Sequence, residues 1–291
     1  MKAPEFAYER ATSLPHALTR LGELQGRARL LAGGQSLVPT LNLRLQSPEV
    51  LLDIGRLTEL RGIAIEGTAI RIGALTRHAD LLGSELIALS CPLLKMAAAQ
   101  IAHPAIRNRG TIGGSLALGD PAAELPACAV ALDATIIAAS APAPERQAIT
   151  ERRIPARAFF TGLYSNLLAA DEMIVAVEVP FLRQDERDGF LELARREGDY
   201  AMIGLAARGA YAGGRFSSLS LAYFAAGDRP VEAKGAAAAL TAGTLDDARI
   251  TAAVTVLASD LPEFQDLQAD SAVRKHLAGV LLRRILPQLT V

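Results

Sequence analysis

The sequence predicts an α+β protein built from two parts, on three observations. Residues 1–55 alternate helical and strand-like apolar runs, the pattern of an α/β unit. Beyond about residue 189 the order changes, with strands first and helices afterwards. Between these regions the charged stretch Arg183 to Asp188 is the best candidate boundary, and 291 residues are more than one small domain usually needs.

The elements follow in order. Leu14, Ala17, Leu18, Leu21 and Leu24 share one helical face, with Ser13 placed to cap the start and Gly26 to end it. Arg29–Ala32 reads as a buried strand, Gly33-Gly34 interrupts it, and Ser36 to Leu45 can turn helical with Pro39 in its first turn. Val50–Ile54 is a second strand. Alternation from Ile63 to Leu75 around Glu66-Gly67 signals a hairpin. Leu81 to Ala102 reads as helix and stops at His103-Pro104, because a residue before proline disfavours the helix. The following segment, RNRGTIGGSLALGDPAAELPA, is rich in small residues and lacks periodicity. Leu125–Leu132 then reads as helix, Ala134–Ala139 as strand, and Ala141 to Glu145 as a surface turn.

Met173–Val179 is a strand ended by Pro180. Strands are expected at Phe190–Arg195, Ala201–Tyr211 and Phe216–Phe224, the last two joined by a Gly213-Gly214 hairpin. Helices are expected at Val231–Leu240, Asp246–Leu257 and Ala272–Leu286.

Composition narrows the function. Hydrophobic residues make up 51%, and Lys+Arg 30 against Asp+Glu 31 gives a formal net charge of -1. A disordered chain would be poorer in apolar residues, and a nucleic-acid binder would show a basic domain. The two cysteines, Cys91 and Cys128, form neither a disulfide framework nor a C-x-x-C pair, so a metal cluster within this chain is not expected. The sequence shows no secretory h-region and no long uncharged apolar run, so a cytoplasmic location is expected.

Two glycine segments carry the chemistry: Ala32-Gly33-Gly34-Gln35-Ser36-Leu37 and Thr111-Ile112-Gly113-Gly114-Ser115. Glycine tolerates positive φ and lacks the Cβ that would block close approach, so successive N–H groups can converge on phosphate oxygens. Two such segments could clamp the phosphates of a dinucleotide, or both could be ordinary tight turns. No G-x-G occurs, so the Rossmann fingerprint is absent, as are the P-loop and the H-E-x-x-H zinc motif. Asp120 and Glu124 read either as helix caps or as ribose acceptors. His103 reads as a structural hydrogen-bonder or a ligand contact, and Arg107 and Arg109 as surface charges or phosphate partners.

AGGQSLVPTLNLRL (Ala32–Leu45), IAHPAIRNRGTIGGSLALGDPAAELPA (Ile101–Ala127), DEMIVAVEVP (Asp171–Pro180) and ARREGDYAMIG (Ala194–Gly204) occur in this order and spacing. Together they resemble the FAD-binding medium subunit of molybdenum hydroxylases, of the carbon monoxide dehydrogenase and xanthine dehydrogenase type. The resemblance spans essentially the whole chain. It implies an α+β molecule: an FAD-binding PCMH-type domain over residues 1–180, with subdomains of about 1–55 and 56–180, and a C-terminal domain of antiparallel sheet plus helices over 186–291.

It further implies that Leu30, Leu31, Ala32, Gly33, Gly34, Gln35, Ser36 and Leu37 line the FAD pyrophosphate. Thr111, Ile112, Gly113, Gly114 and Ser115 would close over it, and Ile101 and Ile174 would touch the flavin or adenine. Glu124 stands where the family usually has Asp near the ribitol or ribose, Ser115 where Asn is common, and Leu191 where xanthine dehydrogenases carry a Lys. The flavin would be held non-covalently, since neither glycine segment contains His or Cys. The chain would take electrons from two [2Fe–2S] clusters on a small subunit and pass them to an external acceptor. A large subunit would hold the molybdenum cofactor, and the assembly would be a dimer of heterotrimers. No catalytic side chain is assigned to this chain. Two other readings stand beside this one: a free-standing FAD oxidoreductase of the same fold, and a flavin-free scaffold protein.

Overall fold

The computed structural model describes residues 2–142 and 148–290. The surface turn expected at Ala141–Glu145 lies from residue 143 onward outside the described residues.

The chain opens on strand β1 (Ala7–Arg10), helix α1 (Leu14–Leu24), strand β2 (Ala28–Leu31), helix α2 (Leu37–Asn42) and strand β3 (Val50–Asp53). The strands form a parallel sheet in the order β1-β3-β2. Ser13 caps α1 as expected, its hydroxyl accepting from His16 N at 3.2 Å. The helix ends on Gln25 at φ +47 and Gly26 at φ +83, both left-handed. Strand β1 was not legible in the sequence, because AYER is short and polar and is recruited by pairing with β3. Helix α2 is shorter than expected, since Arg44 turns left-handed at φ +57.

The hairpin β4 (Ile63–Glu66) and β5 (Ala69–Gly73) forms as expected around Gly67. The single helix expected over Leu81–Ala102 is instead α3 (His78–Gly83), α4 (Glu85–Ser90) and α5 (Pro92–Gln100). Ser84 starts a new helix by accepting from Ile87 N at 3.2 Å, and Pro92 can begin a helix but not continue one. After α6 (Pro104–Arg107) comes α7 (Ile112–Leu118), within the segment that showed no periodicity. Thr111 caps α7, accepting from Gly114 N at 3.2 Å. Next are α8 (Glu124–Ala131), β6 (Thr135–Ser140), β7 (Thr150–Pro155), α9 (Ala156–Phe159), β8 (Phe160–Gly162), β9 (Ser165–Asn166) and β10 (Met173–Pro180).

The second sheet runs β4-β5-β10-β6-β7, all antiparallel. Both its faces are covered; side chains of β6 alternate between them with a period of two, whereas a bulge between Ile174 and Ala176 reverses the alternation along β10. Ile137, Ala139, Met173 and Val175 face α1 and the parallel sheet. Ile136, Ala138, Ile174, Val177 and Val179 face the helical side and the C-terminal sheet.

The C-terminal sheet comprises β11 (Glu186–Leu193), β12 (Ile203–Ala212), β13 (Arg215–Phe224) and β14 (Val231–Glu232), antiparallel in that order. Gly213 (φ +58) and Gly214 (φ +79) make the expected tight hairpin. One face packs on α10 (Lys234–Thr241), α11 (Asp247–Asp260) and α12 (Ser271–Leu289) through Ile203, Leu205, Leu221, Leu282 and Ile285. The other face packs on the preceding domain through Phe190, Ala206, Ala222 and Phe224, with Phe190 and Phe224 stacked at 5.6 Å.

A buried ion pair fastens this second contact. Arg208 on β12 donates from Nε to Asp188 Oδ1 at 2.7 Å and from Nη2 to Asp188 Oδ2 at 3.0 Å. Leu93 N, in the first turn of α5, donates to Asp188 Oδ2 at 3.0 Å, and Arg208 Nη1 reaches Pro180 O at 3.2 Å. Arg208→Met leaves the Asp188 carboxylate buried without its cation, which should cost about 3–5 kcal/mol. Pairing it with Asp188→Leu should recover most of that loss, and thermal unfolding of the three variants measures both effects.

Candidate functional site

The two glycine segments meet, but they are built differently. Strand β2 delivers Ala32–Ser36 to the end of the parallel sheet, where the chain bends before α2. A Cβ on Gly33 would lie 2.1 Å from Arg109 O and 3.0 Å from Gly110 Cα, so only glycine fits against the segment leading into α7. Gly34 has φ +74. Among the described residues, the backbone N–H groups of Gly33, Gly34, Gln35, Ser36 and Leu37 donate to no protein acceptor. The chain does close on itself here from other groups: Val38 N donates to Gly34 O, and Gln35 Nε2 to Gly33 O. Consecutive unpaired amides on a bend are the donor set that an anionic, phosphate-bearing ligand requires.

The second segment corrects the expectation of a loop. Thr111 to Ser115 is the cap and first turn of α7, and its amides are satisfied within the protein. Ile112 N donates to Thr76 O at 3.0 Å, Gly113 N to Ala74 O at 2.9 Å and Ser115 N to Thr111 O at 3.0 Å. Gly113 is required by packing, since its Cβ would lie 2.6 Å from that of Ala74. Gly114 is exposed and Ser115 half-buried on the turn that follows the meeting point with Gly33.

The rest of the 101–124 segment, from the end of α5 to the start of α8, is the floor of the candidate site. Ile101 is 7% exposed and ends α5, while Ile174 is 5% exposed on β10, and both belong to one hydrophobic core. Arg107 donates to Ile101 O at 2.8 Å and Ala102 O at 3.0 Å. It therefore closes the C-terminus of α5, where the sequence left it as either a surface charge or a phosphate partner. His78 packs beneath Gly110, and burial pulls its pKa down to about 4, so it is neutral.

At the far end of the floor the connection between β11 and β12 reaches across as an arm, residues 194–202. A Cβ on Gly198 would lie 2.4 Å from the His103 ring, so that ring supports the arm. Tyr200 on the arm and Tyr164 on the β8–β9 turn stand exposed. Partial burial of each ring, and then the negative charge of Asp120, push both phenols upward, so all three groups lie in one neighbourhood.

Beside them lies an acidic cluster that, among the described residues, makes no ion pair. Asp120 is 7% exposed and its carboxylate accepts from Ala122 N at 2.9 Å. Burial, reinforced by Glu192 and Asp120, pushes Glu124 up to about 8. Burial pushes Glu192 up to about 7, and its Oε2 has no hydrogen-bond partner. Glu192 was missed by sequence reasoning. Leu191, the position singled out instead, packs into the opposite core against α10–α12. The period of two on β11 could have signalled it: Asp188, Phe190 and Glu192 share the face turned to the first domain.

A family model described as the FAD binding domain in molybdopterin dehydrogenase matches residues 4–182. A second, described as the CO dehydrogenase flavoprotein C-terminal domain, matches residues 189–289. The chain is 47% identical over 206 residues to subunit alpha of the 6-hydroxypseudooxynicotine dehydrogenase complex of Paenarthrobacter nicotinovorans, covering 71% of this chain and 67% of that one. It is 35% identical over 286 residues to the carbon monoxide dehydrogenase medium chain of Hydrogenophaga pseudoflava, covering 98% and 97%. A solved structure of carbon monoxide dehydrogenase from that organism superposes with a TM-score of 0.93 at 36% identity, covering 99% of this chain and 98% of that one.

The fold is therefore that of a flavin-binding subunit of a multi-subunit oxidoreductase. The chain belongs to the FAD-binding medium subunits of the molybdopterin dehydrogenase family, and is the FAD-binding subunit of a molybdenum hydroxylase complex. No helix among the described residues is long and apolar enough to cross a membrane.

The carboxyl pair gives a signed pH dependence. Glu124 and Glu192 titrate at about 8 and 7 in the folded chain against 4.5 when unfolded, so the folded state binds protons more tightly. Their contribution is fully present below pH 4.5 and is lost as pH rises towards 8. Between pH 7 and 8 His78 is neutral in the folded state and mostly neutral in the unfolded one, so it opposes the fall only weakly. The thermal midpoint of the flavin-free chain should fall across this window, and Glu192→Gln should flatten the fall. Equal slopes in the two proteins would show that Glu192 is not protonated there.

Proposed function

We propose that this chain is the electron-transfer link of its complex. It takes electrons from [2Fe–2S] clusters on a partner small subunit and passes them to an external acceptor. A large subunit with the molybdenum cofactor carries out the hydroxylation, and the complex is a dimer of heterotrimers. The two domains are residues 1–180 and 186–291. FAD, when bound, supplies the redox centre; the protein supplies binding, orientation and electrostatics.

The carrying observation is the run of unpaired amides at Gly33–Leu37, wedged against Arg109. These amides fit the pyrophosphate oxygens, with Leu30, Leu31 and Ala32 leading the chain into the bend. Thr111, Ile112, Gly113, Gly114 and Ser115 flank it, with Gly114 the exposed member. Ile101 and Ile174 form the apolar wall. Glu124 accepts from a ribitol or ribose hydroxyl, and its raised pKa leaves it holding a proton near neutral pH. The arm and Tyr200 close the far end of the floor. Cys91 and Cys128 are 0% exposed, which supports placing cluster ligation on another chain.

Acid precipitation of the purified yellow chain should leave free FAD in the supernatant. Gly113→Ala should destabilise the fold by about 1–3 kcal/mol with or without flavin, because its new methyl meets Ala74. Gly33→Ala should remove flavin from a chain whose C-terminal domain still unfolds normally. Gly114→Ala should cost about 1 kcal/mol through its effect on the Thr111 cap, and should weaken flavin affinity beyond that. Unchanged affinity would make Thr111–Ser115 a purely structural turn.

Electron transfer has its own test. The isolated chain should oxidise no organic substrate with a dye acceptor, while the co-expressed three-subunit complex should. Substrate-dependent flavin reduction by the isolated chain would instead establish a free-standing oxidase.

A further inference from the structure

Arg274 lies in the first turn of α12, on the side of the C-terminal sheet turned away from the cofactor site, yet it is tied to the site from below. It is 2% exposed. Its Nη1 donates to the carbonyls of Met202 and Ala225, and Nη2 pairs with Asp266. The guanidinium stands 5.0 Å from the centre of the Phe264 ring.

Met202 ends the arm, where its N–H closes the base on Leu193 O at 2.7 Å. Ala225, left-handed at φ +53, donates its own N–H to Pro121 O at 2.7 Å, beside Asp120 in the floor. One buried cation thus holds the arm above the site and the floor beneath it. A second route reaches the arm through Asp266. That carboxylate accepts from Gln268 N at 2.8 Å, and Gln268 O accepts from Arg195 Nη2, in the arm, at 3.1 Å.

The arm has little else to fix it. Among the described residues, the arm between Leu193 and Ile203 is held by the bond that closes its base, a turn from Asp199 N to Arg196 O, the His103 ring against Gly198, the buried Ala201, and the two tethers just described. Arg195, Arg196, Glu197, Asp199 and Tyr200 are exposed. A loop so exposed does not hold one conformation by its own packing.

We propose that Arg274 is a positioning residue of the cofactor site, setting the arm 194–202 and its Tyr200 across the mouth from a helix that does not itself reach the site. A buried guanidinium suits this role because its fixed planar fork engages several acceptors at once, two backbone carbonyls and a carboxylate here. The proposal rests on the assignment of FAD to this site, and the test separates the two.

Native trypsin digestion of the full chain reads the arm directly, because Arg195 and Arg196 lie on it. In Arg274→Met, cleavage at these residues should rise about tenfold relative to cleavage elsewhere. FAD affinity should fall about tenfold, and the fluorescence of the flavin that remains should rise as Tyr200 withdraws. Arg274→Lys keeps a donor for Met202 O and should recover most of the arm's protection and the flavin signal. Asp266→Asn, which leaves Arg274 in place, should give an intermediate result even if Arg274→Met folds poorly. The control Arg152→Met removes an ion pair to Glu172 remote from the arm and should leave the arm-to-elsewhere ratio unchanged. A uniform rise in cleavage in Arg274→Met and Asp266→Asn would overturn the proposal. So would arm release with flavin affinity and fluorescence unchanged. A wild-type chain without flavin would overturn the FAD assignment and this role together, whereas a wild-type chain with flavin and an Arg274→Met chain indistinguishable from it would overturn this role alone.

Discussion

The relation between the two halves of the molecule depends on the buried pair of Arg208 and Asp188. Asp188 is saturated by Arg208 Nε and Nη2 and by Leu93 N, and Arg208 also binds the carbonyl of Pro180 at the end of β10. A buried pair of this kind contributes little net stability compared with apolar residues of the same shape. What it supplies is orientation. The planar fork allows one placement of β11 against α5, and hydrophobic packing of Phe190 and Phe224 alone would tolerate a slide. Glu192 lies on the same strand face as Asp188, so its position opposite Glu124 follows from that clasp.

The site is asymmetric in a way that two similar glycine motifs conceal. At Gly33 the missing Cβ makes room for another backbone, and the amides beside it stay unpaired. At Gly113 it makes room for Ala74, and the amides of that turn are consumed by Thr76, Ala74 and Thr111. The unpaired donors therefore sit mainly in the first segment, and the second holds that segment in place. The same division of labour recurs at the far end, where His103 and Arg274 support the arm that Tyr200 occupies.

Electrostatically, Asp120, Glu124 and Glu192 form no ion pair among the described residues. Asp120, Glu124 and Glu192 are all pushed upward by burial, and near neutral pH the last two are partly protonated. A redox cofactor that takes up charge meets less repulsion from protonated carboxyls than from carboxylates. Two guanidinium groups nearby are already committed, Arg107 to the end of α5 and Arg274 to backbone carbonyls.

The sequence by itself determined the elements whose signal is local. Ser13 and the leucine face of α1, the Gly67 and Gly213-Gly214 hairpins, and the alternating strands of the C-terminal sheet are encoded by residues close in the chain. The glycine segments were legible for the same reason, and the four motifs in order pointed to the family. Tertiary structure decided the rest. AYER and TERRIP are strands only because β3 and β6 pair with them. Thr111–Ser115 became a helical turn because Thr76 and Ala74 accept its amides. Glu192 became a site residue, and Leu191 a core residue, because the Arg208–Asp188 clasp fixed which face of β11 meets the first domain. Arg274 was invisible in the sequence as one basic residue on a long helix, since its role arises from carbonyls 72 and 49 positions away. Local pattern records what a residue prefers, whereas a site built across two domains records which distant groups are left to satisfy one another.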